Sequence, residues 1–425
     1  MPETVIAGIV FGATYVVIVS ERVHKTAAAL AGAVVMILVK IEGFDQSEAF
    51  QSIDFNVIFL LAGMMIIAAI LSKTGVFQWL AIRTAKLGRG EPVRILVGLS
   101  LVTAVLSAFL DNVTTVVLIA PITIFLAGVL QVSAVPLLIS EALASNIGGT
   151  ATLIGDPPNI LIGSAADLDF MAFVLNVMPV VLLILVVYVL LAPLLFGRKL
   201  TNHPETRARI MAMDERDTIT DPRLLRLSIM VLGVTLVGFV LHGAFDYEPA
   251  TVALLGAAVL LVFSRQDPQD VLREVEWSTL LFFIGLFIVV GGVDSVGLLS
   301  DFGEKMAEIA GGSQTAAAML ILWPSALFSS LVNQIPYTTA MIPVVRQMGM
   351  EMGQPGNVLW WALSLGACLG ANLTMVAAAA NVLVANLATK GGQPIRFWEF
   401  FRYGAAVTFA SILISSVYIW LRYLM

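Results

Sequence analysis

The chain has 425 residues, of which 59% are hydrophobic and 12% are charged, and its formal net charge is −6. Soluble domains carry about 25% charged residues, so this composition excludes a water-soluble globular protein and predicts a polytopic protein in a lipid bilayer. The single cysteine excludes a disulfide and a multi-cysteine metal site, and no nucleotide-phosphate loop is present. We therefore expect no enzyme, no metal or other cofactor and no nucleic-acid partner.

The first half of the chain contains four apolar segments typical of membrane helices, at about 4–20, 24–41, 54–72 and 172–196. Two further segments, 93–130 and 134–165, are apolar but interrupted by polar residues. A spanning helix needs about 20 residues, so 93–130 could cross twice, yet Asp111 and Asn112 lie at its middle. This pattern predicts a re-entrant helical hairpin for 93–130 and a broken helix for 134–165.

The second half repeats the first. Residues 53–162 recur without a gap 222 positions later, so that Gly148 matches Gly370 and Asn159 matches Asn381. The repeat predicts helices at about 224–242, 249–264, 277–293 and 400–422, a hairpin at 315–345 and a broken helix at 357–388. Duplicated halves with interrupted helices at corresponding places are typical of secondary transporters, whose binding site lies where the halves meet.

The charges of the loops predict the orientation. The loops 73–94 and 197–226 are rich in Lys and Arg, whereas 42–52 and 166–170 contain acids and no base. The basic loops are expected in the cytoplasm, which inverts the second half and leaves both termini outside the inner membrane. We predict an all-α polytopic membrane protein of two inverted repeats, 1–199 and 224–425. Each has about five spanning helices, one of them broken, plus a re-entrant hairpin, and a polar cytoplasmic linker, 200–223, only connects them.

The first candidate site is the tip of the hairpin, where Asp111 is followed by Asn112, Thr114 and Thr115. Asp111 is the only acid between Pro92 and Ser140. An ionisable group in the bilayer costs about 2.5–3.5 kcal/mol or more and marks a functional site by default. We predict that Asp111 binds the coupling proton; the alternative is that it caps the second helix of the hairpin.

The second candidate site is the interrupted stretch 144–159, with Asn146, Thr150, Thr152, Asp156 and Asn159. Its glycines and prolines exclude a continuous helix and predict an unwound middle whose backbone groups face a ligand. Pro157 fits the first turn of a restarted helix, with Asp156 as its N-cap. The alternative is a kinked helix whose small residues allow close packing. Glu141, one and a half turns before Asn146, is either a proton relay or a charge on the helix face.

The third candidate site is the twin of the first two, with Asn333, Gln334, Cys368, Asn372, Thr374 and Asn381. Here Asn333 replaces Asp111 and Ala378 replaces Asp156, so the acids lie in the first half. This asymmetry suggests that the first half holds the proton or cation and the second completes the substrate site; drift after duplication is the alternative. Cys368 is either close to the cavity or a small packing residue.

The stretches Phe109–Pro121 and Ser145–Asn159 resemble the arsenite permease / sodium–proton antiporter group of the ion transporter superfamily, with the melanosomal P protein and divalent-anion symporters as more distant relatives. The resemblance implies a fixed scaffold and a moving transport part, residues 93–165 and 315–388, that works by an elevator motion. It also implies that an acid at the hairpin tip suits antiport better than sodium symport.

The residue types of the interrupted segments favour an uncharged substrate. Arsenite is mostly neutral at pH 7, and amides and hydroxyls could bind its three hydroxyl groups without a buried Arg or Lys. We predict proton-coupled efflux of arsenite or antimonite by antiport. Sodium–proton antiport is the alternative, followed by an anion or dicarboxylate transporter and by a channel subunit driven by a separate cytoplasmic ATPase. A homodimer is left open.

Overall fold

The computed structural model of the chain describes residues 3–20, 22–200, 204–245, 247–353 and 357–425. Its helices in the first half are α1 (Glu3–Ser20), α2 (Lys25–Leu38), α3 (Gln46–Gln51), α4 (Phe55–Ser72), α5 (Val76–Leu87), α6 (Pro92–Phe109), α7 (Asn112–Leu130), α8 (Val135–Gly149), α9 (Pro157–Ala166), α10 (Phe170–Asn176) and α11 (Met178–Phe196). The linker contains α12 (Pro204–Ala212). The second half contains α13 (Pro222–Leu241), α14 (Pro249–Phe263), α15 (Pro268–Arg273), α16 (Trp277–Ser295), α17 (Leu298–Ala310), α18 (Gln314–Val332), α19 (Gln334–Glu351), α20 (Val358–Gly370), α21 (Ala379–Lys390) and α22 (Phe397–Ile419).

The regular secondary structure of the described residues is helical and includes no β-strand. Nine of the helical stretches are long and apolar enough to cross a membrane. The predicted all-α polytopic fold is confirmed. The span predicted at about 172–196 begins later, at Met178, because the segment is not one helix. It divides at Val177 into α10 and α11, and Pro179 stands in the first turn of α11, where its missing N–H is tolerated. The helix predicted at 24–41 is also shorter, ending at Leu38.

The two repeats form the same series of helices. α4, α6, α7, α8 and α9 return as α16, α18, α19, α20 and α21 at nearly the same spacing. α4 packs against α14, and its twin α16 packs against α2. Glycines permit both contacts, because a Cβ at Gly63 would lie 2.8 Å from the Ala253 carbonyl carbon and one at Gly285 would lie 2.7 Å from that of Ala29. Small residues at such crossings let helix backbones pack closely in a bilayer.

An ion pair joins the end of α4 to the segment before its twin α16. Lys73 follows the end of α4 and its Nζ lies 3.5 Å from Oε1 of Glu274, which precedes the start of α16. The end of one helix therefore lies beside the beginning of its twin. This is the relation expected of inverted repeats.

The linker is more than a connection. A 3₁₀ turn, Glu215–Thr218, follows α12, and Glu215 pairs with Lys86 at 2.5 Å and with Arg83 at 3.0 Å on α5. The backbone of Gly75 lies very close to this turn: a Cβ at Gly75 would lie 1.8 Å from the carbonyl oxygen of Thr218. The prediction that this segment only joins the halves is wrong for residues 204–223, which pack on the first repeat; residues 201–203 lie outside the described chain.

Candidate functional site

The two hairpin tips are short breaks between helices. α6 ends at Phe109 and α7 begins at Asn112, while Asn333, at φ 89°, alone separates α18 from α19. Asp111 caps α7, because its Oδ1 accepts a 2.9 Å hydrogen bond from the Thr114 N–H and its Oδ2 accepts one from the Thr114 hydroxyl. The capping interpretation of Asp111 is therefore correct, and a coupling role remains compatible with it.

The two broken helices are stabilised by a pair of twin asparagines. The Nδ2 of Asn159 donates to the carbonyls of Thr150 at 3.0 Å and Thr152 at 2.9 Å. In the second repeat Asn381 does the same for Ala371 at 2.8 Å and Thr374 at 3.0 Å. These carbonyls lost their helical partners at the break, and a buried carbonyl needs a donor.

The threonines of the breaks attach them to the hairpins. The Thr152 hydroxyl donates to the Ala108 carbonyl, and the Thr374 hydroxyl donates to that of Ser330 at 2.6 Å. The Thr150 hydroxyl donates to the carbonyl of Asn146 at 2.7 Å. These three hydroxyl protons are thus donated to backbone carbonyls. The three threonines therefore hold the breaks in position and do not have these protons to donate to a ligand. The Thr115 hydroxyl, in contrast, is buried without a partner among the described residues.

Asp156 stands at the N-cap position of α9 but does not cap it. Pro158 has no N–H to donate, and the Asn159 N–H already donates to the Asp156 carbonyl at 2.9 Å. The carboxylate points instead to both hairpin tips. Its Oδ1 accepts from Nδ2 of Asn112 at 3.1 Å and from Nε2 of Gln334 at 2.7 Å. The predicted N-cap position of Asp156 is confirmed, but its side chain makes no capping hydrogen bond, and the prolines explain why this carboxylate is available.

Asn146 joins the broken helices of the two repeats. Its Nδ2 donates to Oδ1 of Asn372 at 2.9 Å and to Oδ1 of Asn381 at 3.0 Å, while its Oδ1 accepts from Asn112 at 3.3 Å. The chain of hydrogen bonds therefore runs from Asp156 through Asn112 and Asn146 to the second repeat. We call Asn112, Asn146, Asp156, Gln334, Asn372 and Asn381 the central network.

Cys368 lies beside this network. Its thiol is 3.5 Å from Oδ1 of Asn159, which also accepts a 2.6 Å hydrogen bond from the Ser364 hydroxyl. Ser364 was missed by the sequence reasoning. It could have been found, because it lies four residues before Cys368 and thus on the same face of α20.

The central network is buried, with each of its members at most 2% exposed. Three of its atoms have no partner among the described residues: Oδ2 of Asp156, Oε1 of Gln334 and Nδ2 of Asn372. A buried polar atom without a partner is costly, so these two acceptors and one donor are free to bind a small ligand. Neither Lys nor Arg belongs to the network.

Two large cavities approach the site from opposite ends of the helices. One, of about 440 Å³, lies between Lys25, Glu276 and Asn386 and reaches Val113 and Asn333 at the hairpin tips. The other, of about 560 Å³, is lined by Asp54, Ser164 and Asp169 and ends at Leu153 and Ile160 without reaching a tip. Only the first of these two leads to the hairpin tips. A third cavity, of about 10 Å³, is lined by Asp111 and Gln334 and has room for about one water.

The predicted site residues therefore occupy two hairpin tips and two helix breaks that meet. Asn112, Asn146, Asp156, Asn159, Gln334, Cys368, Asn372 and Asn381 lie in or beside the central network. Asp111, Thr114 and Asn333 lie at the tips but outside it. The functional roles of all these residues stay predictions.

Comparison with known proteins agrees with this architecture. The family described as citrate transporter, CitMHS, matches residues 15–366. An uncharacterized transporter of Mycobacterium bovis is 45% identical over 99% of both chains, and a 46 kDa membrane protein of Mycobacterium leprae is 44% identical over 99% of both. The human P protein is 33% identical over 98% of this chain and 60% of its own length, so the predicted kinship with the P protein is confirmed.

A solved structure has the same overall fold. The YdaH transporter of Alcanivorax borkumensis aligns with a TM-score of 0.57 at 14% identity, over 96% of this chain and 98% of its own. At that identity the likeness shows the fold alone. The finer resemblance to the arsenite permease group stays a prediction, whereas the coarser one is confirmed: the chain is a multi-pass secondary transporter that belongs to the citrate transporter family.

Proposed function

We propose that the chain exports arsenite or antimonite across the inner membrane in exchange for protons. The observation that carries this proposal is the buried central network with its unpartnered Asp156 Oδ2, Gln334 Oε1 and Asn372 Nδ2. A neutral trihydroxide can donate hydrogen bonds to the two oxygens and accept one from the amide. Recognition by neutral hydrogen bonds also lets the substrate leave again, which thiolate ligation by Cys368 would oppose.

We propose that Asp156 belongs to the substrate site and that Asp111 carries the coupling proton. Asp156 lies between both hairpin tips, whereas Asp111 lines the small cavity together with Lys25 and Glu276. That small cavity and the cavity of about 440 Å³ share Lys25, Glu276 and Val113. An acid at that place can exchange protons with water while the substrate occupies the network behind it.

Alternating access completes the proposal. With the basic loops in the cytoplasm, the cavity at Lys25 and Glu276 opens to the cytoplasm and the cavity at Asp54 and Asp169 opens outside. The structure then corresponds to an inward-open state. We propose that 93–165 and 315–388 move as an elevator with re-entrant hairpins, and that Leu153 and Ile160 form the closed outer gate.

Arsenite uptake into everted membrane vesicles tests the proposal. Respiration acidifies the vesicle lumen, so an exporter that exchanges protons accumulates arsenite inside, and a protonophore abolishes the accumulation. Uptake that survives the protonophore but requires ATP and a partner protein would favour a channel driven by an ATPase. Absence of arsenite and antimonite uptake from vesicles that contain the folded protein would overturn the proposal.

Sodium–proton antiport is the second candidate, because Asp111, Asp156 and the carbonyls at the breaks are oxygen ligands suited to sodium. Addition of sodium to the same vesicles would then alkalinise the lumen, as reported by a trapped pH dye. Citrate is the third substrate to test in the same vesicles, because the matching family is described as citrate transporter. Its three carboxylates call for basic partners, and none of the six members of the central network is basic.

A further inference from the structure

Glu141 is a buried carboxyl group outside the central network. It lies on α8, is 1% exposed, and its Oε1 accepts a hydrogen bond from the Thr123 hydroxyl of α7. Its Oε2 is buried without a partner among the described residues. Glu141 is therefore enclosed between helices and is not a solvent-exposed charge on the face of α8. A permanent negative charge is costly in free energy at a buried position where one hydroxyl group is its donor.

Serine hydroxyls lie on α8 on both sides of Glu141 along the helix, at Ser140 and Ser145. One turn along α8, the Ser145 hydroxyl lies 3.1 Å from Oγ of Ser107 and 3.3 Å from the carbonyl of Asn112. In the opposite direction the hydroxyl of Ser140 lies 2.7 Å from that of Ser100 and 2.6 Å from that of Tyr188. Polar groups thus extend along α8 from the site toward its beginning at Val135.

The second repeat shows that the packing does not require these groups. At the corresponding positions Glu141 becomes Leu363, Thr123 becomes Val345 and Ser145 becomes Ala367. Ser140 and Ser100 become Ala362 and Leu322. α18, α19 and α20 nevertheless pack on one another as α6, α7 and α8 do. The same helix arrangement is therefore built with apolar residues in one repeat and with an acid and hydroxyls in the other.

No base in the part of the chain that the structure describes forms an ion pair with Glu141. α8 packs on α6, α7, α11, α20, α21 and α22, and Tyr188 of α11 is the titratable side chain next to it. The remaining titratable groups on these helices and at the α7 N-cap are Arg94, Asp111, Cys368, Lys390, Glu399, Arg402, Tyr403 and Tyr418. Arg94, Lys390 and Arg402 are exposed, and no salt bridge joins Glu141 to a described residue.

We propose that Glu141 is a second proton-binding group, located in the transport part and separate from the substrate site. On loading, a proton leaves hydronium and forms an O–H bond at Oε2; on release that bond breaks, the proton returns to water, and Thr123 stabilises the carboxylate. This inference rests on the proposed proton coupling. It adds a proton that moves with α8 on the return movement, when the central network holds no substrate.

The transport test compares Glu141→Gln with the wild-type chain. The variant is expected to exchange arsenite for arsenite at the wild-type rate and to lose part of the accumulation driven by the proton gradient, because Asp111 still carries one proton. Glu141→Asp is expected to recover part of that accumulation. Glu141→Leu, which copies the residue of the second repeat, serves where the Gln variant does not fold. Gradient-driven accumulation by Glu141→Gln at the wild-type level would overturn the proposal.

A measurement without substrate tests the proton site at Glu141 independently of the arsenite assignment. In infrared difference spectra, the carbonyl band of one protonated carboxyl should disappear reversibly as the pH is raised, and Glu141→Gln should lack that band. A band that persists at every pH would show a permanently protonated structural acid and would overturn the proposal. If the wild-type chain transports no arsenite yet this band titrates, the substrate assignment fails and the proton site stands.

Discussion

The side-chain amide of Gln334 donates a 2.7 Å hydrogen bond to Oδ1 of Asp156 and so attaches the hairpin tip of the second repeat to the broken helix of the first. Both groups are buried. The two repeats therefore share one site rather than carrying one each. The Asp156 carboxylate has no acidic counterpart in the second repeat, and the glutamine is what that repeat contributes in its place.

Replacement of Gln334 by Ala should weaken substrate binding. It leaves Asp156 Oδ1 with Asn112 as its one remaining donor, and the loss of a buried hydrogen bond costs about 1–3 kcal/mol. That corresponds to a roughly five- to 150-fold rise in the arsenite concentration for half-maximal uptake. Gln347→Ala is the matched control, because Gln347 lies on the same helix and contacts Glu304 and Glu351 instead. Equal effects of both variants would contradict a special role for Gln334.

The Asp111→Asn variant should fold but lose the coupling proton that Asp111 carries. Asparagine is as good an N-cap as aspartate, so its side-chain oxygen can still accept from the Thr114 N–H. It cannot carry a proton between the two sides of the membrane. The measurement is proton-driven arsenite accumulation in vesicles, with arsenite exchange and thermal stability as folding controls. Undiminished proton-driven accumulation by this variant would remove Asp111 from the coupling mechanism.

Much of this arrangement follows from the sequence, and the exceptions have physical causes. The repeat located both breaks and both tips, because clusters of glycine, proline and polar residues at matching places in two apolar segments favour interruptions of the helices. The direction of the Asp156 side chain was not predictable from its N-cap position alone, since it depends on Pro158 and on contacts 178 residues away with Gln334. The folded linker escaped prediction because its stability comes from ion pairs with α5, which a polar composition does not reveal.

Gly148→Ala should destabilise the protein. A Cβ at Gly148 would lie 2.0 Å from the carbonyl oxygen of Ala104, and backbone on α6 cannot yield as a flexible side chain would. Overpacking of this kind costs about 1–3 kcal/mol or more. Gly128→Ala is the control, because a Cβ there meets no atom within 4 Å and alanine favours the helix. Thermal unfolding in detergent should show a lower midpoint for Gly148→Ala alone; equal midpoints would refute the close contact of α6 and α8.

The ion pairs of Glu215 with Lys86 and Arg83, which we call the linker clamp, should weaken in acid. Lys86, whose Nζ lies 2.5 Å from Oε2 of Glu215, and Arg83 lower the pKa of Glu215 from 4.5 to about 2. Because the folded pKa is the lower one, the clamp stabilises the protein above pH 4.5, and this contribution is lost as the pH falls toward 2. Cleavage of the linker by an acid protease should increase over that interval.

Glu215→Gln should make the linker cleavable without this pH dependence. Asp217→Asn is the matched control, since Asp217 lies on the same 3₁₀ turn and is exposed. A wild-type linker whose cleavage is unchanged from pH 4.5 down to 2, or an Asp217 variant that behaves like the Glu215 variant, would contradict the clamp.

Cysteines introduced at two positions related by the repeat should react from opposite sides of the membrane. Ser164 lines the cavity at Asp54, and Asn386, its counterpart 222 residues later, lines the cavity at Lys25. In a Cys368→Ala background, which removes the single native thiol, Ser164→Cys should react with an impermeant reagent in intact cells. Asn386→Cys should react in everted vesicles alone, and denatured protein should react at both positions. Two related positions that open to opposite faces are what an inverted repeat requires, so reaction of both from one face would contradict the inversion and, with it, the alternating access built on it.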